Sequence, residues 1–124
     1  MDKAMIIDDL RAIRRILGET IRELGFEVCE AANGREALDR LDEVEGPVSL
    51  MLVDWNMPVM NGLEFVTKVR LDGRFKSSLV VMVTTETAVD QMVKALEAGA
   101  NEYIMKPFTK EVIADKLRIL GVLN

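Results

Sequence analysis

Six polar residues stand where short apolar runs stop. Asp8 and Asp9 follow Ala4-Met5-Ile6-Ile7, Asp54 follows Val48 to Val53, Thr84 and Thr85 follow Leu79 to Val83, and Lys106 follows Glu102 to Met105. Carboxylates gathered in one place repel one another and raise a neighbour's pKa unless a cation is present. Mg²⁺ meets that need, because it accepts a few carboxylates and keeps waters that a phosphate can displace. A lysine and a hydroxyl beside a metal suit a dianionic tetrahedral group, which requires charge neutralisation and donors at several oxygens. Asp54 is then the nucleophile, since a carboxylate can attack phosphorus in line and become an aspartyl phosphate. Taken singly, each residue has a plainer explanation. An acid pair arises easily among 21 acids, Thr84 could cap a helix and Lys106 could be solvated. Asp54 is harder to explain away, because an acid that ends an apolar strand bears a desolvation cost unless something pairs with it.

Other chemistries are excluded by what the chain lacks. With no histidine there is no Ser/His/Asp or Cys/His relay, no His-rich zinc site and no phosphohistidine. The single Cys29 cannot form an internal disulfide. Neither GxxxxGK[ST] nor GxGxxG occurs, so the phosphate donor is read as a phosphorylated partner or a small phosphoanhydride, not a nucleotide. A formal charge of −5 argues against attraction to nucleic acid or an anionic membrane, and the longest apolar run, Leu79 to Val83, is too short to span a bilayer. A cytoplasmic protein is expected.

The elements that carry these residues follow one grammar. Length 124 suits a single domain, residues 1–124, with 49% apolar residues to form its core. After the first apolar run, Ile13, Ile16, Leu17, Ile21 and Leu24 recur at helical spacing, and Gly25 supplies the stop. Phe26 to Ala31 reads as a second strand, Asn33-Gly34 as a turn, and Ala37, Leu38 and Leu41 as one side of a second helix. Val48 to Val53 is the third strand; Asn61 and Glu64 can cap a helix that turns Phe65, Val66 and Val69 inward. Leu79 to Val83, Ala88 to Ala98, Glu102 to Met105 and Lys110 to Leu120, with Thr109 as cap, complete five strands and five helices. Strict alternation of this kind predicts an α/β fold, a doubly wound parallel sheet covered on both faces, with ligands bound beyond the carboxyl ends of the strands.

In combination and in order, Asp8-Asp9, the segment Asp54-Trp55-Asn56-Met57-Pro58-Val59-Met60-Asn61-Gly62, the segment Val83-Thr84-Thr85-Glu86 and Tyr103-Ile104-Met105-Lys106-Pro107-Phe108 resemble the receiver domain of two-component response regulators. The resemblance covers essentially the whole chain and is nearest to the stand-alone, CheY-like chemotaxis type. It implies a five-stranded flavodoxin-like sheet of order 2-1-3-4-5. It implies that Asp54 takes a phosphoryl group from a phosphohistidine on a sensor histidine kinase. Asp9, Asp54 and the backbone carbonyl of Asn56 would hold Mg²⁺, with Asp8 acting through water. Lys106 would pair with the carboxylate and then with the phosphoryl group, and Thr84 would donate its hydroxyl to it while Tyr103 turns inward. Asn56, Thr85 and Glu86 would tune the rates; Thr85 is usually smaller in the family, which implies restricted access to Asp54. The resemblance also implies a cis Lys106-Pro107 bond and a partly exposed Trp55 at the mouth of the site.

Output in this family is a change of partner binding at the face made by the fourth helix, fifth strand and fifth helix. Val89, Met92, Leu96 and Tyr103 are the residues expected there, and Asp90, Glu97 and Glu102 nearby suit a short amphipathic helix with basic flanks. The protein is expected to be a monomer that catalyses only its own phosphorylation and dephosphorylation. Alternatives are a phosphate sink, a receiver module excised from a larger regulator, a module that docks without phosphorylation, and an aspartyl-phosphate phosphatase of the haloacid dehalogenase type. The last carries D-x-D near its first strand, whereas here the first strand ends in adjacent acids and position 56 is Asn.

Overall fold

Five parallel strands form one sheet in the computed structural model, which describes residues 2–85 and 89–123. They are β1 (Lys3–Ile7), β2 (Glu27–Ala31), β3 (Leu50–Asp54), β4 (Leu79–Thr84) and β5 (Glu102–Met105). Between and after them run α1 (Arg11–Glu23), α2 (Gly34–Glu43), α3 (Gly62–Arg70), α4 (Val89–Ala98) and α5 (Lys110–Ile119). The spatial order is β2-β1-β3-β4-β5, the doubly wound order expected.

Side-chain alternation divides the core into two layers. Met5, Ile7, Met51 and Val53 point to the face covered by α2, α3 and α4; Ala4, Ile6, Leu50 and Leu52 point to the face covered by α1 and α5. Both faces are dry, which is why these strands read as continuous apolar runs without a polar alternation. Three strand starts differ from the sequence expectation, and the first is β1, which begins at Lys3, one residue before the apolar run. The Phe26 amide bonds the Ile21 carbonyl at the end of α1, not a strand neighbour, so β2 begins at Glu27. The β1 to β3 register opens at Ala4 and Leu50, so β3 starts two residues after Val48.

Helix starts are set by local side chains. Asn61 Oδ1 accepts from the Glu64 amide at 2.9 Å and Glu64 Oε1 accepts from the Asn61 amide at 3.3 Å, the reciprocal capping box that the spacing predicts. Thr109 Oγ1 caps α5 by accepting from the Val112 amide at 3.1 Å. At α1 the pattern differs: Leu10 has no capping side chain, and its amide instead donates to Asp8 Oδ1 at 2.9 Å. An acid of the site thereby orders the turn into α1. Among the described residues no helix is long and apolar enough to cross a membrane.

Candidate functional site

Parallel strands end on the same edge, so the residues that follow them converge. Asp54 closes β3, Thr84 closes β4, Asp8 lies one residue beyond β1 and Lys106 one beyond β5. Because β3 lies between β1 and β4, Asp8 and Thr84 flank Asp54. Lys106 reaches across β4, and its Nζ donates to Asp8 Oδ2 at 2.9 Å and to Asp54 Oδ1 at 3.1 Å. The Lys106-Pro107 bond is cis, as the resemblance implied. Thr84 is fully buried, Thr85 beside it is exposed, and Asn56 is exposed two residues past Asp54. Glu86 lies outside the described residues.

Asp8, Asp9 and Asp54 each place one carboxylate oxygen so that all lie within 4.8 Å of one another. Octahedral Mg²⁺ with bonds near 2.1 Å separates its ligand oxygens by roughly 3 to 4.2 Å, so a modest closure of this trio would suit it. Hard oxygen donors and two negative charges left over after Lys106 also match a divalent cation. The electrostatics express the same crowding. Burial, with Asp54 only 6% exposed, pushes its carboxyl up to about 6; Asp8 and Asp9 push the same way, and Lys106 opposes them. Burial alone would lower the Lys106 pKa, but the hydrogen bond and charge of Asp8, joined by those of Asp54, hold it above its ordinary value.

Two placements depart from expectation. Trp55 is not partly exposed at the mouth: it is 8% exposed and packs in the core layer with Met60 and Phe65. On α4, Met92 is half-buried against the core because it shares the inward side with Ala95, three residues on. The exposed apolar strip is therefore Val89, Val93 and Leu96, and Tyr103 of β5 is buried beneath α4. A groove of about 360 Å³ opens beside Lys106, lined by Ile13, Ile16, Thr85, Pro107 and Phe108 as well.

The loop after β3 is strained. Val59 has φ 69° while the Met60 amide bonds the Pro58 carbonyl at 2.7 Å, and Val59 is 81% exposed, so little packing compensates. A β-branched residue at positive φ costs about 1 to 3 kcal/mol, whereas Asn tolerates that region. Val59→Asn should therefore raise stability by about 1 kcal/mol in urea unfolding. No gain would mean that the valine side chain contributes packing of its own.

Residues 4–118 match the family model of the response regulator receiver domain. The chain belongs to that family. It is 44% identical over 119 residues to the chemotaxis protein CheY1 of Helicobacter pylori strain J99, covering 95% of each chain. Among solved structures it is similar to Vibrio cholerae chemotaxis protein CheY4, with TM-score 0.89, 35% identity and coverage of 96% of this chain and 98% of that one. It is also similar to the response regulator TrrA of Thermotoga maritima in complex with Mg²⁺ and BeF, with TM-score 0.83, 29% identity and coverage of 97% and 99%. The receiver reading of the sequence is thus shown, and with it a phosphoacceptor switch of two-component signalling closely related to the CheY regulators.

Sequence reasoning passed over Arg14 and gave Gly62 no role beyond its motif. Arg14 had a weak signal, a basic residue one helical turn past the acid pair. Gly62 had none, because its importance lies in a backbone approach that only coordinates reveal.

Proposed function

We propose that this receiver, residues 1–124 acting as one domain, takes a phosphoryl group from a sensor histidine kinase onto Asp54. The observation that carries the reading is the pair of hydrogen bonds that Lys106 donates to Asp8 and Asp54 within a trio of carboxylates. In the transfer, an Asp54 carboxylate oxygen bonds phosphorus as the bond from phosphorus to the donor imidazole nitrogen breaks, leaving its electron pair on that nitrogen. The Lys106 ammonium moves from sharing Asp54 to neutralising phosphoryl oxygens, and the Thr84 hydroxyl donates to another. Asp9, Asp54 and the Asn56 carbonyl would hold Mg²⁺, with Asp8 acting through water, and the ion would supply positive charge to the phosphoryl oxygens. The Mg²⁺ and BeF complex of the Thermotoga relative supports this, since a fluoroberyllate has the size and tetrahedral shape of a phosphoryl group. Thr85 and Glu86 tune access and lifetime, and the apolar groove beside Lys106 suits a helix of the phosphodonor.

The test is intact mass after incubation with Mg²⁺ and a small phosphodonor. One added phosphoryl group is expected, absent when Mg²⁺ is chelated from the start and added at least tenfold more slowly in Asp9→Ala, because metal charge enters both binding and transfer. Full-rate labelling of Asp9→Ala would remove the metal role.

Phosphorylation biases the α4, β5 and α5 face, where Val89, Val93, Leu96, half-buried Met92 and Tyr103 meet a short amphipathic helix of the target. Asp90, Glu97 and Glu102 favour basic flanks on that helix. In this reading the switch works as a cytoplasmic monomer. Leu96→Glu should weaken the phosphorylation-dependent partner by about tenfold, or 1.4 kcal/mol, while Asp54 labels normally. Wild-type affinity in that variant would move the output surface elsewhere.

A further inference from the structure

Arg14 belongs to none of the site motifs, yet its guanidinium lies against the acidic edge. It stands within the first turns of α1 with a side chain only 17% exposed. Its Nη1 donates to the Asp8 carbonyl at 2.8 Å, and its Nε donates to Glu30 Oε1 at 3.3 Å. Glu30 lies on β2, in register with Ile6 of β1, so the guanidinium is braced from the neighbouring strand where it meets the end of β1.

That carbonyl belongs to the peptide unit joining Asp8 to Asp9. A peptide unit is planar, so a donor that fixes the carbonyl also fixes the plane from which the Asp9 side chain departs. The remainder of Asp8 is held on every side. Its amide donates to the Ala31 carbonyl at 3.1 Å, Oδ1 accepts from the Leu10 amide at 2.9 Å, and Oδ2 accepts from Lys106 at 2.9 Å. Asp9 is exposed, so its backbone is what determines where its carboxylate stands.

We infer that Arg14, aimed by Glu30, is a positioning residue for the metal-binding acids: it sets the Asp8-Asp9 peptide so that the Asp9 carboxylate is already placed beside that of Asp54. This rests on the metal reading given under the proposed function. A guanidinium acting merely as a charge would do the opposite of what positioning requires. A cation near the site repels Mg²⁺, so its removal would tighten binding. The sign of the effect therefore decides between the two.

The experiment is calorimetric Mg²⁺ titration of the full chain, comparing wild type with Arg14→Ala, Arg14→Lys, Glu30→Ala and the double variant Arg14→Ala with Glu30→Ala. Loss of a group that orients metal ligands typically costs tenfold or more, so Arg14→Ala should weaken Mg²⁺ by about tenfold. Arg14→Lys keeps the charge but cannot fork to both partners, so it should weaken Mg²⁺ as well; it carries the test if Arg14→Ala does not fold. Glu30→Ala should cost about threefold alone and nothing further in the Arg14→Ala background, because the two act as one unit. In metal-free protein, the Leu10 amide should exchange faster in Arg14→Ala while β3 amides keep wild-type protection. Equal or tighter Mg²⁺ binding by the folded Arg14 variants would overturn the positioning role while leaving the metal site intact. Failure of the wild type itself to bind Mg²⁺ would overturn the metal reading, and this role with it.

Discussion

Asp54→Asn should end phosphoryl transfer and, at the same time, make the metal-free protein more stable at pH 7. The first effect follows from the loss of the nucleophilic oxygen, and intact mass should show no added phosphoryl group under conditions that label wild type fully. The second follows from crowding. The Asp54 carboxyl is pushed from 3.8 up to about 6, by burial first and by the charge of Asp8 next. For an acid whose pKa is raised by folding, the folded state holds the proton more tightly than the unfolded one. Its favourable contribution is complete below pH 3.8 and is lost as pH rises through about 6. Two units correspond to roughly 3 kcal/mol. Asparagine carries no charge, so its advantage over wild type should be on the order of 3 kcal/mol at pH 7 and should fade between pH 6 and pH 4. Mg²⁺ should narrow the gap by stabilising wild type alone. Urea unfolding across that pH range measures it; an Asn variant no more stable than wild type at pH 7 would show that the carboxylates are not in conflict.

Much of this arrangement was legible because burial leaves a direct mark on sequence. Strands dry on both faces must be apolar throughout, and the residue that first breaks each run must lie on the edge where all five strands end. Asp8, Asp54, Thr84 and Lys106 were found by that rule, and the Asn61 and Glu64 pair by the geometry of a helix's first turn. What was hidden depends on rotation and on backbone approach. The inward side of α4 is set by Ala95, small enough to bring the helix close to the sheet, and this turns Met92 in and Val93 out. The spacing of Val89, Met92 and Leu96 is as helical as that of Val89, Val93 and Leu96, so periodicity could not choose between them. Trp55 was misjudged for a similar reason. Its carbonyl accepts from the Gly62 amide at 2.9 Å, which folds the loop back and carries the indole into the core.

Gly62→Ala should be among the most damaging single-methyl changes this chain can receive. A Cβ at position 62 would fall 2.3 Å from the Asp54 carbonyl oxygen and 3.0 Å from the Trp55 Cα. Both are backbone atoms, so no rotamer change relieves the overlap. Either α3 must move away from the end of β3, against Phe65, Val66 and Val69 buried on its inner side, or the end of β3 must move. Overpacking of this kind costs about 1 to 3 kcal/mol, and more when backbone has to shift. We expect a loss of about 3 kcal/mol in urea unfolding. The function should suffer further, because the displaced carbonyl belongs to Asp54 itself, and a misplacement on the order of 1 Å at a reacting group can cost about a hundredfold in rate. Labelling by a small phosphodonor should therefore slow by about that factor even at temperatures where the variant is fully folded. Gly73→Ala is the control, since a Cβ there meets nothing within 4 Å and should change stability by less than about 0.5 kcal/mol. If Gly62→Ala unfolds with the wild-type midpoint and labels at the wild-type rate, the close approach of α3 to the phosphoacceptor strand is not a constraint on the site.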